Sequence, residues 1–324
     1  MAPSRSLISS MTSLRKLGPS DLEVFPLSLG GNVFGWTADE AQSFAVLDAY
    51  TAGGGNFVDT ADAYSAWVPG NEGGESETII GRWFAARGNR SEVVLATKVG
   101  AHPRFKGLAA ANIKAAAEAS LRRLDTDYID LYYTHYDDPS VPVEEIITAL
   151  DGLVREGKVR AIAASNISPE RLQESLEFSD REGLARYVAL QPHYNLVSRD
   201  TYEGQLQDVA SRNGLAAVPY YALASGFLTG KYRPGTKVDS ARAEGAGKHL
   251  GTERGVRVLA ALDEIAGARG AEAATVALAW LAAQPTVAAP IASARTVDQL
   301  PALLAVGELT LTDAELSKLT QASA

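Results

Sequence analysis

The chain has 324 residues, 46% of them hydrophobic, with no cysteine and 30 Lys and Arg against 39 Asp and Glu, a net charge of −9. The missing cysteines exclude disulfides, thiolate metal sites and thiol catalysis, and the acidic balance argues against a nucleic-acid partner, since nothing would neutralise phosphates over a wide face. No apolar run reaches the roughly 18 residues that span a bilayer, and the opening MAPSRSLISSMTS lacks the apolar stretch of a signal segment, so a cytoplasmic protein with no membrane contact is expected.

Residues 1–13 read as an N-terminal extension, and 14–324 as one domain. The segments 14–17 and 22–25 flank Gly18-Pro-Ser-Asp21 and predict a β-hairpin with a Gly/Pro/Asp turn. An alternation of strands and helices follows. Strands are expected at 27–30, 57–59, 93–98, 128–135, 159–165, 187–191, 215–220 and 287–291. Helices are expected at 39–52, 75–86, 108–124, 143–156, 168–178, 201–213, 252–267, 273–283 and 297–306. Thr37 or Asp39 caps the first of these. Ser168 caps another, with Pro169 at its first position, and Gly157 stops the helix before it. A last helix, 312–320, opens on the capping box Thr312-Asp-Ala-Glu315.

Eight strands alternating with helices imply a parallel sheet, and eight is the number that closes as a (β/α)8 barrel. An open doubly wound sheet would carry G-x-G-x-x-G after its first strand. Gly30-Gly31-Asn32-Val33-Phe34-Gly35 lacks that spacing. The segment 222–250 is a long polar, glycine-rich loop. Such loops in compact domains are usually lids or binding loops, and this one is expected to have little to bury and to close over a ligand.

Asp59 ends one apolar strand, Lys98 a second and His135 a third, and Tyr64 follows Asp59 by five residues. Barrels build sites in this way, from several strand ends on one face. A phenol has an ordinary pKa near 10. A nearby ammonium would lower it, a carboxylate would hold that ammonium, and a histidine could polarise a carbonyl oxygen. Singly, each residue has a plainer reading: a turn cap, loop packing, a solvated strand end, a satisfied histidine. Their joint occurrence at consecutive strand ends speaks against those readings. A metal-dependent barrel enzyme would need clustered ligands, but of His102, His135, His193 and His249 only His135 ends a strand.

The stretches GGGNFVDTADAY, GESETIIGRW, VVLATKVG, SLRRLDTDYIDLYYTH, GKVRAIAASNIS, LQPHYNLV, PYYALASGFLTGKY and IASARTVDQL carry a resemblance across the length of the chain. It resembles the aldo-keto reductase superfamily, in the bacterial branch related to potassium-channel β subunits. The resemblance implies a barrel that reduces a small-molecule carbonyl with NADPH, giving NADP⁺. It places the catalytic tetrad on Asp59, Tyr64, Lys98 and His135, with Tyr64 as general acid. It places the nicotinamide against Gly31, Asn32, Ser165, Asn166, Gln191 and the ring of Tyr220. The pyrophosphate falls to Tyr221, Ala222, Leu223, Ser225, Gly226 and Lys231. Apart from the resemblance, Arg242 is expected to reach the cofactor when the loop closes. The adenosine 2′-phosphate falls to Ser293, Arg295 and Gln299, where the planar guanidinium suits bidentate contact.

The chain departs from the family at three places. Ser293 stands for the usual Gly, Ala302-Leu303 for a Glu-Asn pair that holds adenine, and the loop after Tyr64 is longer. Phe34, Trp36, Trp67 and Tyr136 are expected to rim the substrate pocket, which would suit an apolar, aromatic or sugar-like carbonyl. The alternative function is an NADP(H)-binding redox sensor resembling the channel β subunits.

Overall fold

The N-terminal hairpin forms where the turn residues place it. β1 (Arg15–Lys16) and β2 (Glu23–Val24) pair antiparallel with Arg15 opposite Val24, and the Leu17 N–H donates to the Leu22 carbonyl at 2.9 Å. The computed structural model describes residues 13–233, 235 and 238–324, so the expected N-terminal extension lies, apart from Ser13, outside the described residues.

Beyond the hairpin run β3 (Ser28–Gly30), β4 (Phe57–Asp59), β5 (Val94–Val99), a small hairpin of β6 (Ala101–His102) and β7 (Phe105–Lys106), then β8 (Ile129–Thr134), β9 (Val159–Ser165), β10 (Tyr187–Gln191), β11 (Ala216–Ala217) and β12 (Ile291–Ala292). Eight of them form one sheet in the order β12-β3-β4-β5-β8-β9-β10-β11, every neighbouring pair parallel. The edges meet. The Ala217 N–H donates to the Thr286 carbonyl at 2.7 Å, Ala288 to Ala217 at 2.9 Å and Ile291 to Pro219 at 2.9 Å. The sheet is therefore closed, a (β/α)8 barrel.

Strands seven and eight are shorter than expected. Pro219 and Pro290 have no N–H to give to a ladder, so regular pairing stops at Ala217 and resumes at Ile291. The β6–β7 hairpin was not expected. Its two-residue strands are too short to show a period. The helices are α1 (Glu40–Ala52), α2 (Glu75–Arg87), α3 (Ala110–Leu124), α4 (Val143–Arg155), α5 (Pro169–Glu182), α6 (Gln205–Arg212), α7 (Ala243–Gly247), α8 (Glu253–Arg269), α9 (Ala273–Ala282), α10 (Leu300–Leu304) and α11 (Asp313–Ala322). Asp39, Ser168 and Thr312 cap α1, α5 and α11 through their side chains. α5 runs on to Gly183, whose φ of 65° ends it; its last turn is polar but has no breaker. α6 starts at Gln205, because Gly204 at φ 98° cannot continue a helix backwards.

Two apolar clusters follow from the strand alternation. Phe57, Leu131, Tyr133 and Val218 fill the barrel interior with small alanines, and the hairpin's Leu17, Leu22 and Val24 join them as a plug. A larger cluster lies between the strands and the helices. In it α2 approaches α3 closely. A Cβ on Gly81 would stand 2.3 Å from the Arg123 carbonyl oxygen. An exposed mid-helix Gly→Ala change gains up to about 1 kcal/mol from propensity, but overpacking a fixed backbone contact costs about 1–3 kcal/mol. Gly81→Ala should therefore lower the unfolding free energy by roughly 1–2 kcal/mol, seen as an earlier urea midpoint at unchanged slope. A later midpoint would show that α3 can yield.

Candidate active site

β4 and β5 are in register with Asp59 opposite Ala96. The ladder continues past the end of β4: the Thr60 N–H donates to the Ala96 carbonyl at 2.8 Å, and the Asp62 N–H to Lys98 at 3.3 Å. The chain after Asp59 therefore tracks β5, and its next turn brings Tyr64 over Lys98. The Lys98 Nζ contacts Asp59 Oδ2 at 2.6 Å, the Thr60 carbonyl at 2.7 Å and Tyr64 Oη at 2.9 Å. These three contacts match the three protons of an ammonium. The second Asp59 oxygen accepts from Gln191 Nε2 at 2.8 Å. Asp59 and Lys98 are 1% and 0% exposed.

His135 directly follows β8, and its N–H donates to the Val99 carbonyl at 2.9 Å. Its ring stands edge-on to Tyr64 at 6.0 Å. Burial, with Lys98 adding to it, pushes the imidazole pKa down to about 3, so the ring is neutral. Burial also lowers the Lys98 pKa, against the pull of Asp59. Tyr64 corrects the expectation from sequence. Burial, and then the Asp59 charge, hold its pKa well above 10. The ammonium does not lower it, because a carboxylate 2.6 Å away offsets that charge while desolvation acts on the phenol in full.

The tetrad opens onto a cavity of about 1030 Å³, the size of the largest small-molecule sites. Along its floor Asn166 Nδ2 donates to the His135 carbonyl at 2.8 Å, Ser165 Oγ to the Gln191 carbonyl at 2.9 Å, and Tyr220 Oη to Asn166 Oδ1 at 2.8 Å. Tyr220 stacks on His193 at 5.4 Å. Tyr221, Leu223, Ser225, Gly226 and Lys231 also line the cavity, with Arg242, Ser293, Arg295 and Gln299. There Ser293 Oγ donates to Asn32 Oδ1 at 2.6 Å, Arg242 reaches the same oxygen at 3.4 Å, and the Arg295 N–H donates to Gln299 Oε1 at 2.8 Å.

Asn166, Tyr221 and Ser225 all hold left-handed backbone at φ 49°, 54° and 57°. Such strain costs about 1–3 kcal/mol a residue and gathers at ligand sites. At the tetrad end, Trp36 meets Trp67 edge-on at 5.6 Å, and Tyr136 stacks on His135 at 4.9 Å.

Four expected residues lie off the cavity wall, Lys98 among them, fully buried behind Asp59 and Tyr64. Phe34 is fully buried in the core, because the 3-10 turn Gly31–Val33 rotates it inward. Gly31 turns its carbonyl to Ser76 Oγ, 2.7 Å away, and Ala222 is buried beneath the loop. Ala63, Ala66, Ala101, Pro103, Glu272 and Asp298 line the cavity without having been expected; small side chains and a two-residue hairpin give no sequence signal, and lone carboxylates at helix starts read as surface charges. The segment 222–250 has more to bury than its composition suggests. Phe227, Leu228, Tyr232 and Ala246 are all buried, and Phe227 packs on His249 at 5.4 Å.

Residues 26–324 match the sequence profile of the Aldo/keto reductase family. The chain belongs to that family. As an aldo/keto reductase it is an oxidoreductase. It is 36% identical over 309 residues to the uncharacterized oxidoreductase YrpG of Bacillus subtilis (strain 168), covering 91% of each chain. It is 34% identical over 321 residues to the norsolorinic acid reductase stcV of Emericella nidulans, covering 93% of this chain and 79% of that one. It is also 34% identical over 296 residues to a probable voltage-gated potassium channel subunit beta of Oryza sativa subsp. japonica, covering 88% of each. Among the described residues no helix is long and apolar enough to cross a membrane.

A histidine that is neutral down to about pH 3 should leave no limb in the reductase rate profile between pH 5 and 7. Steady-state rates at constant ionic strength test this; a break near pH 6.5 that disappears in His135→Gln would show that the imidazole titrates there.

Proposed function

We propose that this aldo/keto reductase reduces an aldehyde or ketone to an alcohol with NADPH, and that Tyr64 donates the proton. The carrying observation is the Tyr64 hydroxyl. It faces the cavity beside neutral His135, with Lys98 Nζ on its other side at 2.9 Å. A phenol held above pKa 10 keeps its proton at any working pH and releases it only where an oxyanion develops. Lys98 and Asp59 fix the phenol oxygen, and His135 can donate an N–H to orient the carbonyl oxygen. NADPH supplies the hydride to the carbonyl carbon; with the Tyr64 proton on oxygen, the product alcohol balances.

The donor set fits a phosphorylated dinucleotide. Lys231, Arg242 and Arg295 all line the cavity, and the two guanidiniums are close enough that Arg295 depresses the Arg242 pKa, after burial. Like charges held together in a pocket are stabilised by an anion between them. In this reading Ser165, Asn166 and Gln191 take the carboxamide, and Tyr220 stacks on the ring. Ser225, Gly226, Lys231 and Arg242 take the pyrophosphate, and Ser293, Arg295 and Gln299 the 2′-phosphate. Trp36, Thr37, Ala63, Ala66, Trp67 and Tyr136 add uncharged side chains to the lining, with Trp67 packed edge-on to Tyr64 and Tyr136 stacked on His135. That supports a neutral, apolar or aromatic carbonyl over a charged one. The second reading, a redox-sensing regulator that holds NADP(H), is favoured by the likeness to the rice protein. Tight NADPH retention without turnover across a panel of aldehydes and ketones would favour it.

Tyr64→Phe keeps the ring and removes the proton. Turnover should fall by about 10²–10⁴-fold with NADPH affinity intact, as followed by NADPH absorbance and fluorescence titration. A loss under about tenfold would point to another donor.

Arg295→Ala should weaken NADPH binding roughly ten- to a hundredfold, since a charge-assisted bond is worth about 1.5–3 kcal/mol. NADH binding should change little. Equal affinity for the two cofactors in the parent protein would remove the 2′-phosphate contact from this reading.

A further inference from the structure

Behind the tetrad, away from the cavity, a second carboxyl is buried with neither oxygen partnered. Asp62 is 0% exposed, and its Oδ1 and Oδ2 make no well-formed hydrogen bond among the described residues, the adjoining Ala63 amide acting on them without one. Its backbone is fixed by the bond to the Lys98 carbonyl, and it lies on the short loop that joins Asp59, at the end of β4, to Tyr64. The groups around it come from four elements. Glu77 of α2 is already paired, accepting from Thr97 Oγ1 at 2.5 Å and Arg123 Nε at 2.6 Å. Arg123 of α3 is committed to that pair, and Lys98 of β5 to Asp59, Thr60 and Tyr64. Tyr132 of β8 is fully buried with its hydroxyl unpartnered. Among the described residues no cation is left over for Asp62. Burying a carboxylate without a partner costs far more than protonating it.

We propose that Asp62 is a positioning residue for the reaction, a neutral buried acid whose ionisation sets a second negative charge behind Lys98 and weakens Tyr64 as a proton donor. The proposal rests on the reading of Tyr64 as the donor. A charge at Asp62 competes with Asp59 and Tyr64 for the Lys98 ammonium, and it opposes the negative charge that forms on the phenol oxygen as the proton leaves. With Asp62 neutral, Lys98 serves the tetrad alone. Burial and the Glu77 carboxylate raise the Asp62 pKa to about 8, against the pull of Arg123, the Ala63 amide and Lys98.

The test compares the parent with Asp62→Asn, which keeps the shape of the neutral acid. For the parent, kcat/KM for carbonyl reduction should step down as pH rises through about 8. The step should be on the order of tenfold, as expected if the added charge makes the phenol about tenfold less acidic. Asp62→Asn should match the parent below pH 7, lack the step, and bind NADPH unchanged. A step that persists in Asp62→Asn overturns the proposal.

A second readout needs no turnover. The folded pKa lies above the ordinary 3.8, so between these values the folded state holds a proton that the unfolded state has lost. Stability therefore falls as pH rises through that window. The Tm of Asp62→Asn should gain on the parent from pH 4 to 8 and hold level above it; a constant gap overturns the proposal. If the variant does not fold, infrared difference spectra of the parent decide. A protonated-carboxyl band should vanish near pH 8, and no such band at pH 6 overturns the assignment. Loss of the Tyr64 reading would appear separately, as turnover surviving in Tyr64→Phe while the Tm gap still opens.

Discussion

Asp59 and Lys98 meet at 2.6 Å with almost no exposure, and much of the barrel's geometry is needed to make that tolerable. Removing two such charges from water costs several kcal/mol each, which their attraction offsets only if the remaining donors and acceptors are also satisfied. Here they are. Gln191 comes from β10, across the barrel, and the Thr60 carbonyl and Tyr64 come from the turn after β4. A slip of one residue between β4 and β5 would turn Lys98 to the other face of its strand and leave a buried carboxylate alone. The closed sheet fixes that register from both sides, and this gives the hydrogen bonds between Ala217, Thr286 and Ala288 a bearing on a site across the barrel.

The same pair decides what kind of group Tyr64 is. A free ammonium at 2.9 Å would draw the phenol towards phenolate. An ammonium already bound to a carboxylate brings almost no net charge, so desolvation sets the direction. The result is a hydroxyl that keeps its proton until negative charge develops opposite it. Neutral His135 follows from the same burial; a charged imidazole beside Lys98 would add a second buried cation with no acid to hold it. Under the proposed reaction the tetrad therefore starts with its proton in place, as reduction requires.

Much of this was legible in the sequence. The barrel followed from eight apolar runs alternating with helices, and the tetrad from chemistry at consecutive strand ends. What escaped was of two kinds. Where short elements or small side chains do the work, as in the β6–β7 hairpin or Ala63 and Ala66, no period or polar group announces them. Where burial decides the chemistry, residue type misleads: Tyr64 looked like a phenol made more acidic, and 222–250 like a bare polar loop, until the apolar packing around each was visible. Phe34 shows the same limit on a smaller scale, since one 3-10 turn sends it to the core instead of the pocket.

The cavity mixes cations with aromatic rings. Lys231, Arg242 and Arg295 line it in a protein whose net charge is −9, and Glu272 and Asp298 line it too. Arg295 is close enough to Arg242 to lower its pKa, and Arg242 is also within electrostatic reach of Tyr221 and Tyr64. Attraction for an anion therefore centres on the residues proposed for the cofactor and extends to the tetrad. Trp36, Trp67 and Tyr136 offer a carbonyl substrate apolar contact instead. Binding strength and substrate choice can then draw on different residues. The left-handed strain at Tyr221 and Ser225 falls within this lining, where ligand contacts can offset it.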